Sequence, residues 1–290
     1  MADPLFIGID GGGTNCRARL RDAAGRALGE GRGGPANLRL GTAAVMGSVL
    51  AACRAALTDA GLSEADLGRA HVGLGLAGAI GAGAGDAFLA GHPFASATLE
   101  SDAYTAWLGA FRGGPGAILI VGTGSCGFGV FGGRPVQIGG WGNVISDEGS
   151  GGAIGREAVR RAVQALDGRA PATPLSDAIL NRFDRRPEAI VAFADAAKPA
   201  DFAALVPLVL DHAGAGDPLG RALVADAAAD IAGIAERLLA LGAPRVALLG
   251  GLAEPLRPHL PPEIAARLAA PASDAMDGAI LMAQQALARR

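Results

Sequence analysis

One arrangement of apolar and polar positions occurs twice along this chain. The segments Leu5–Pro35 and Ala117–Ser150 each open with a short apolar run, which is typical of a buried strand. In both segments a tight turn rich in glycine and threonine follows, and the chain returns through two further short strands. Because the period of this repeat is about half of the chain, it predicts two related domains and not a solenoid of small units.

Helical patterns separate the remaining apolar runs. The longest is Leu219–Leu241, whose apolar residues recur at helical spacing and which stops before Gly242 and Pro244. Pro171–Asp217 is helical with several prolines, and we expect it to be the most irregular part. Further strands are predicted at Ala70–Ala77, Ala97–Leu99 and Arg245–Leu249, and further helices at Ala103–Phe111, Ala153–Leu166 and Asp274–Ala288. Strands that alternate with helices indicate an α/β architecture.

The composition of the 290 residues narrows the class of protein. The chain has 25 basic and 28 acidic residues, a net charge of −3, so nothing in its charge favours nucleic acid or an anionic membrane surface as a partner. No apolar run approaches the ~18–20 residues that span a bilayer. The stretch before the first strand lacks the basic region and the cleavage site of a signal peptide. We expect a cytoplasmic protein.

The cysteines point to no metal cluster. There are three, Cys16, Cys53 and Cys126, and they are widely spaced. Neither a Cys-x-x-Cys pair nor a Cys/His metal spacing occurs anywhere in the chain. The sequence therefore predicts a reduced protein without a metal cluster.

The two tight turns are candidate phosphate sites. They read Asp10-Gly11-Gly12-Gly13-Thr14 and Gly122-Thr123-Gly124-Ser125. A strand, a Gly/Thr/Ser turn and a second strand direct backbone N–H groups and hydroxyls at one spot, where a phosphate is the usual occupant. One such turn in each domain predicts a nucleotide held across a cleft between the domains. The alternative is two ordinary hairpin turns.

Five motifs in chain order resemble a known superfamily: DGGGT, SDA, GTGS, GGWG with DEGSGG, and LLGGLA. Together they are similar to the actin-like ATPase and sugar kinase superfamily, and within it to the BadF/BadG-type ATPase and N-acetylglucosamine kinase group. The resemblance implies an α/β fold of two ribonuclease H-like domains around a nucleotide-binding cleft. Residues 1–102 with 277–290 would form the N-terminal domain, and residues 103–276 the C-terminal domain with a helical insertion.

Asp102, in the SDA motif, is the candidate catalytic residue. In hexosamine kinases of this type the matching Asp accepts the proton of the sugar hydroxyl, a role that typically contributes ~10²–10⁴-fold to the rate. Phosphoryl transfer otherwise depends on positioning and charge neutralisation. The alternative is that Asp102 caps the helix Ala103–Phe111, which its position also fits.

The resemblance also assigns the nucleotide and metal positions. ATP would contact two glycine-rich turns and a third glycine pair, and Asp10 would hold Mg²⁺ through water. The nucleotide-binding candidates are Gly11, Gly12, Gly13, Thr14, Gly122, Thr123, Gly124, Gly250 and Gly251. Asp10 is otherwise only a turn residue, and the last glycine pair is otherwise a plain strand-to-helix turn.

A third set would bind the sugar. Gly140, Trp141, Gly142 and Asp147 match the sugar-binding segment of the N-acetylglucosamine kinases, and Asn37 matches the Asn of the family's other sugar-contacting loop. Asp147 can accept hydrogen bonds from ring hydroxyls. Trp141 is as well explained by core packing, and Asn37 by a normal loop.

The leading prediction is ATP-dependent phosphorylation of the 6-hydroxyl of an amino sugar, with N-acetylglucosamine favoured and glucosamine close behind. The alternative is an activator ATPase that drives electron transfer to a partner dehydratase or reductase. Such activators carry an iron–sulfur cluster on cysteines at a dimer interface, and none of the three cysteines here has a comparable context. A sugar sensor without activity is a third reading. The sequence is compatible with a homodimer.

Overall fold

The computed structural model describes residues 3–79 and 84–289. The chain divides into two compact units, which we call the first unit, Met1–Gly116 with Ala270–Arg290, and the second unit, Ala117–Ala269. Each unit has its own sheet and its own apolar core. No helix within the described residues is long and apolar enough to cross a membrane.

The first unit is built on a five-stranded sheet of β1 (Leu5–Gly11), β2 (Cys16–Asp22), β3 (Ala27–Gly33), β4 (Ala70–Leu76) and β5 (Ser96–Ser101). The order is β3-β2-β1-β4-β5, in which β1, β4 and β5 run parallel and β2 runs antiparallel to its neighbours. Parallel strands end at one edge of a sheet. Asp10, near the end of β1, and Asp102, directly after β5, therefore lie at the same edge.

Different helices cover the two faces of this sheet, α1 (Thr42–Asp59) on one side and α12 (Ala275–Ala288) on the other. Side chains alternate across a strand, so Ile7 and Ile9 point into the core that contains α1, whereas Gly8 faces α12. A Cβ atom at Gly8 would lie 1.9 Å from the carbonyl oxygen of Met276. Gly8 thus marks where α12 packs, whereas Gly29 and Gly31 of β3 mark where α1 packs on the opposite face.

Helix α3 (Asp102–Phe111) belongs to the first unit, which corrects the predicted boundaries at residues 102 and 277. A Cβ atom at Gly109 would lie 2.0 Å from the carbonyl oxygen of Asp274, so α3 is pressed against the segment that leads into α12. The indole of Trp107 donates a hydrogen bond of 2.9 Å to the carbonyl of Gly116. These contacts tie α3 and the chain after it to the first sheet. The remaining helix of the first unit is α2 (Ala84–Leu89).

The second unit is built on a four-stranded sheet of β6 (Ala117–Val121), β7 (Ser125–Phe131), β8 (Arg134–Gly139) and β9 (Val246–Leu249). The order is β8-β7-β6-β9, with β6 antiparallel to β7 and parallel to β9. In each unit the first strand therefore lies between its antiparallel hairpin partner and a parallel strand: β1 between β2 and β4, and β6 between β7 and β9. This shared order confirms the predicted α/β fold and the duplication.

Helices complete the core of the second unit: α4 (Gly151–Leu166), α5 (Pro174–Asn181), α6 (Pro187–Ala196), α7 (Pro199–Ala203), α8 (Val206–Gly214), α9 (Pro218–Ala240), α10 (Ala253–Leu256) and α11 (Pro262–Ala265). Proline is the first residue of α5, α6, α7, α9 and α11, where its missing N–H would be unpaired in any case. Leu223, Ala227 and Ile231 on the predicted apolar face of α9 are buried. The proline-rich region resolves into four short helices.

Candidate functional site

The turn after β1 offers free backbone donors. The N–H of Gly12 donates to the carbonyl of Asn15 at 2.9 Å. The N–H groups of Gly13, Thr14 and Asn15, all exposed residues, have no acceptor in the part of the chain that the structure describes. The carbonyl of Gly12 accepts from Ala36, which fixes the base of the turn. The turn therefore offers an anion three free backbone donors, those of Gly13, Thr14 and Asn15.

Asp10 forms an ion pair that the sequence analysis missed. Asp10 and Arg17 face each other across the β1–β2 hairpin, and Arg17 Nη2 lies 2.5 Å from Asp10 Oδ2. The hydrogen bond to Asp10 raises the pKa of the Arg17 guanidinium. The alternation of β2, where polar and apolar residues take turns, is the signal from which this pair could have been found. Asp10 is therefore a strand residue with a defined partner and not only a turn residue.

Asp102 does not act as the helix cap. Ser101 occupies the cap position of α3, and its hydroxyl accepts a hydrogen bond of 3.1 Å from the N–H of Tyr104. Asp102 is the first residue of the helix, and its Oδ1 accepts from the N–H of Ala103 at 2.9 Å. Burial raises the pKa of the Asp102 carboxyl. The N–H of Ala103 partly offsets this effect, and the nearby charge of Asp10 adds to it.

Asp10 and Asp102 place two carboxylates at one edge of the sheet, at the ends of β1 and β5, which are separated by β4. Among the described residues, no group of three or more His, Cys, Asp or Glu side chains could hold a metal ion directly. A pair of carboxylates with room for water suits Mg²⁺, which keeps part of its hydration shell. Asp10 Oδ1 has no partner within the described ranges, because the contact of Arg17 is to Oδ2. The residues present fit a water-mediated Mg²⁺ site.

Asn37 lies in a loop held to the same sheet edge. The loop is attached through the N–H of Leu38, which donates to the carbonyl of Ala77 at 2.9 Å. Asn37 Oδ1 accepts from the N–H of Arg39 at 3.0 Å and so begins a short 3₁₀ turn. The Nδ2 group has no acceptor in the described part of the chain. The first unit therefore brings Asp10, the turn, Asn37 and Asp102 to one edge.

The turn after β6 is braced by the start of α4. The N–H groups of Gly151 and Gly152 donate to the carbonyls of Gly122 and Thr123 at 2.8 and 3.0 Å. The first donors of the helix are therefore occupied and cannot bind a phosphate. The N–H groups of Thr123 and Gly124 have no acceptor among the described residues. In this turn the free donors thus belong to the turn itself.

Asp147 braces the same turn from the other side. It has a left-handed backbone, φ 63°, and its carboxylate accepts from the N–H groups of Ser125 and Gly142. Burial raises the pKa of this carboxyl, and the two N–H groups partly offset the rise. A Cβ atom at Gly124 would lie 3.0 Å from Asp147 Oδ2. The predicted sugar ligand therefore also holds the second turn against Gly142.

Trp141 is an exposed residue, so the core-packing explanation is wrong. Its relative exposure is 61%, and the neighbouring Val144 and Ile145 are 90% and 78% exposed. Gly140 and Gly142, on either side of Trp141, both have positive φ. The carbonyl of Asn143 accepts a hydrogen bond from Arg156 on α4. The segment is thus anchored at one point and presents apolar side chains outward.

The two residues of the Gly250-Gly251 pair have different surroundings. Gly250 has φ 97°, and a Cβ atom there would lie 2.3 Å from the carbonyl oxygen of Val121, so a side chain is excluded. Gly251 opens onto a cavity of about 600 Å³ that Gly122 and Thr123 also line. The second unit therefore brings the predicted phosphate turn and Gly251 to one cavity.

The other walls of this cavity were not predicted from the sequence. They come from α7, α8 and the chain after β9, and they include Ala203, Val206, Pro207, Leu210, Asp211, Leu252 and Pro255. The proline-rich stretch shows no single period over its length, so no pattern marked these positions as part of a site.

Two sheets of one topology, each with a glycine-rich turn after its first strand, define the actin-like ATPase class. A sequence profile of the BadF/BadG/BcrA/BcrD ATPase family matches residues 7–283, and the chain belongs to this family, as its motifs predicted. ATP is accordingly its nucleotide.

Similar proteins include enzymes that act on amino sugars. The chain is 43% identical to a glucosamine kinase from Vibrio cholerae, over 96% of this chain and 95% of that protein. A Chromobacterium violaceum crystal structure, provisionally assigned as an N-acetylglucosamine kinase, matches with a TM-score of 0.91 and 39% identity, over 97% of this chain and 99% of that one.

An activator component shares the fold alone. Component A of (R)-2-hydroxyglutaryl-CoA dehydratase from Acidaminococcus fermentans matches with a TM-score of 0.51 and 13% identity, over 98% of this chain and 99% of that one.

Proposed function

We propose that this protein is an ATP-dependent kinase that phosphorylates the 6-hydroxyl of an amino sugar. The observation that carries the proposal is the Asp102 carboxylate. It is released from helix capping by Ser101, and its pKa is raised by burial. A base poised in this way suits a reaction in which a hydroxyl must lose its proton. We place the reaction in the cytoplasm, where ATP is supplied.

In the proposed step the sugar 6-oxygen forms a bond to the γ-phosphorus as the bond from that phosphorus to the β-bridging oxygen breaks. The hydroxyl proton passes to the Asp102 carboxylate, and ADP leaves. The free donors of Gly13 and Thr14 suit phosphate oxygens, and the cavity beside Gly251 suits an adenosine. Mg²⁺, when bound near Asp10, supplies neutralisation of the phosphate charge.

We place glucosamine first among the substrates, which changes the order given by the sequence motifs. The full-length relative at 43% identity is a glucosamine kinase, whereas the N-acetylglucosamine assignment at 39% identity is provisional. Asn37, Trp141 and Asp147 are the proposed sugar contacts. Asn37 Nδ2 lacks a described partner and Trp141 is exposed, so both are free to meet a ligand.

The cysteines do not favour the alternative function, an activator ATPase with an iron–sulfur cluster. Cluster ligation requires accessible thiolates, whereas Cys16 and Cys53 are buried and only Cys126 of the three cysteines is partly exposed. Burial raises the pKa of the Cys16 thiol to about 12 and raises that of Cys53 as well.

A coupled ADP-release assay with glucosamine, N-acetylglucosamine and glucose tests the proposal. We expect sugar-dependent turnover that falls by about 10²–10⁴-fold in Asp102→Asn, with ADP affinity retained. Glu100→Gln, which removes an exposed carboxylate two residues away, is the matched control and should retain activity. A rate of ATP hydrolysis that changes neither with added sugar nor with the Asp102 substitution would refute the kinase proposal.

A further inference from the structure

The cavity of about 600 Å³ in the second unit has one wall that carries a charge. Most of its lining is glycine or apolar, and Asp211 is the charged side chain among the described residues that line it. Asp211 is an exposed residue, and its carboxylate has no hydrogen-bond or ion-pair partner in the described part of the chain. A carboxylate at the open rim of a mainly apolar cavity is placed to accept a hydrogen bond from a donor group on the ligand.

The phosphate end of the cavity lies at Gly122. A Cβ atom at Gly151 would lie 3.1 Å from the carbonyl oxygen of Gly122 and 3.0 Å from the Cβ of Ala203, so these three residues meet at one place. The chain then enters α8, which lines the cavity as far as Asp211. Helical rise separates Val206 from Asp211 by roughly 7 Å. Asp211 therefore lies away from the phosphate end.

A nucleotide with its phosphates at the turn would place the ribose next and the base farthest along. Pro207 and Asp211 are four residues apart on α8 and share one face of the helix, with Leu210 beside them. An apolar wall for a purine ring thus ends at a carboxylate. The exocyclic amine of adenine donates hydrogen bonds, whereas guanine and hypoxanthine present a carbonyl oxygen at the same ring position. A carboxylate attracts the first group and repels the second.

We infer that Asp211 is a specificity residue that accepts a hydrogen bond from the exocyclic amine of adenine and selects adenine nucleotides over guanine nucleotides. The inference rests on the proposed function only in that it seats the nucleotide of the kinase in this cavity. Beyond that function, it assigns the recognition of the base to Asp211.

Calorimetric titration of the full chain with ADP, GDP, IDP and 2′-deoxy-ADP tests the inference without turnover. We expect the wild type to bind ADP at least tenfold more tightly than GDP or IDP. Asp211→Asn, whose amide can donate to a carbonyl oxygen, should reduce this ratio at least fivefold. Asp211→Glu should keep the preference for ADP, because it keeps the carboxylate. Asp195→Asn, an exposed acid on α6 outside the cavity, is the matched control and should behave as wild type.

Each outcome bears on the inference. An unchanged ADP/GDP ratio in Asp211→Asn overturns it. A loss of discrimination against 2′-deoxy-ADP, with the ADP/GDP ratio intact, also overturns it, because the carboxylate would then bind the ribose. Wild-type protein that binds ADP selectively but phosphorylates no sugar sinks the proposed function and leaves the base assignment standing.

Discussion

The two glycine-rich turns occupy equivalent places in their sheets, yet their surroundings differ. The turn after β1 is open: a Cβ atom at Gly13 would meet nothing within 4 Å, and charged groups flank it on the strands. The turn after β6 is braced: its Gly122 and Thr123 carbonyls accept from the start of α4, and a Cβ atom at Gly124 would lie 3.0 Å from Asp147 Oδ2. The duplicated topology supplied two turns with free N–H donors. The residues around the turns differ: an ion pair lies beside the first turn, and a mainly apolar cavity lies beside the second.

The charged groups are arranged differently at the two turns: Asp147 and Asp211 lie near the second turn, but neither forms an ion pair like Asp10–Arg17 among the described residues. Asp10, Arg17 and Asp102 lie at the edge of the first sheet, and the proposed proton acceptor and metal site fall among them. The corresponding cavity of the second unit is lined mainly by Val206, Leu210 and other uncharged residues. A shared fold therefore fixes where a turn lies, while the chemistry of the turn depends on the residues around it.

The largest effect that would sharpen this contrast is expected from Gly250→Ala. The new methyl group would meet the carbonyl oxygen of Val121, and the backbone has φ 97°, so we expect a loss of about 2–4 kcal/mol in the free energy of unfolding. Gly13→Ala, at the open turn, is the control and should change stability by less than about 0.5 kcal/mol. Urea unfolding of both variants measures this. Equal losses would show that Gly250, which packs on the last residue of β6, is no more constrained than Gly13.

A smaller effect concerns the charge at Asp102. Its pKa is raised in the folded protein, so the folded state binds this proton more tightly than the unfolded state does. The stability that protonation provides is present at low pH and is lost as the pH rises through the raised pKa. Asp102→Asn should therefore raise the melting temperature at pH 7 and have little effect near pH 4.

Thermal melts of wild type, Asp102→Asn and the exposed-site control Asp195→Asn at both pH values measure this difference. The same carboxylate should give kcat/KM an acid limb at a pH above the ordinary Asp value of about 3.9. A melting difference that is equal at pH 4 and pH 7 would contradict the raised pKa.

Local signals in the sequence account for most of the fold and part of the site. The apolar runs and turns predict the sheet strands, and the periodicity of Leu219–Leu241 predicts α9 to within one residue at each end. Glycine residues do not all mark turns. Gly8 and Gly109 are not turn residues but contact points for the last helix and the segment before it, and such packing depends on residues far away in the chain.

Pairings across strands and across the chain escaped the sequence analysis. The Asp10–Arg17 ion pair depends on the register of the β1–β2 hairpin. The capping role of Ser101 depends on a start of α3 one residue earlier than predicted. Asp211 had no motif to mark it, and only the folded second unit brings it to the cavity that Gly251 lines.

The most direct test of the proposed reaction is the position of the phosphate in the product. Protein incubated with Mg-ATP and glucosamine should yield a sugar whose phosphorus couples, in a ¹H–³¹P correlation spectrum, to the two protons on carbon 6. Wild-type protein should form this species in step with ADP, and Asp102→Asn should form almost none. A phosphorus coupled to the anomeric proton, or inorganic phosphate as the only new signal, would contradict the account.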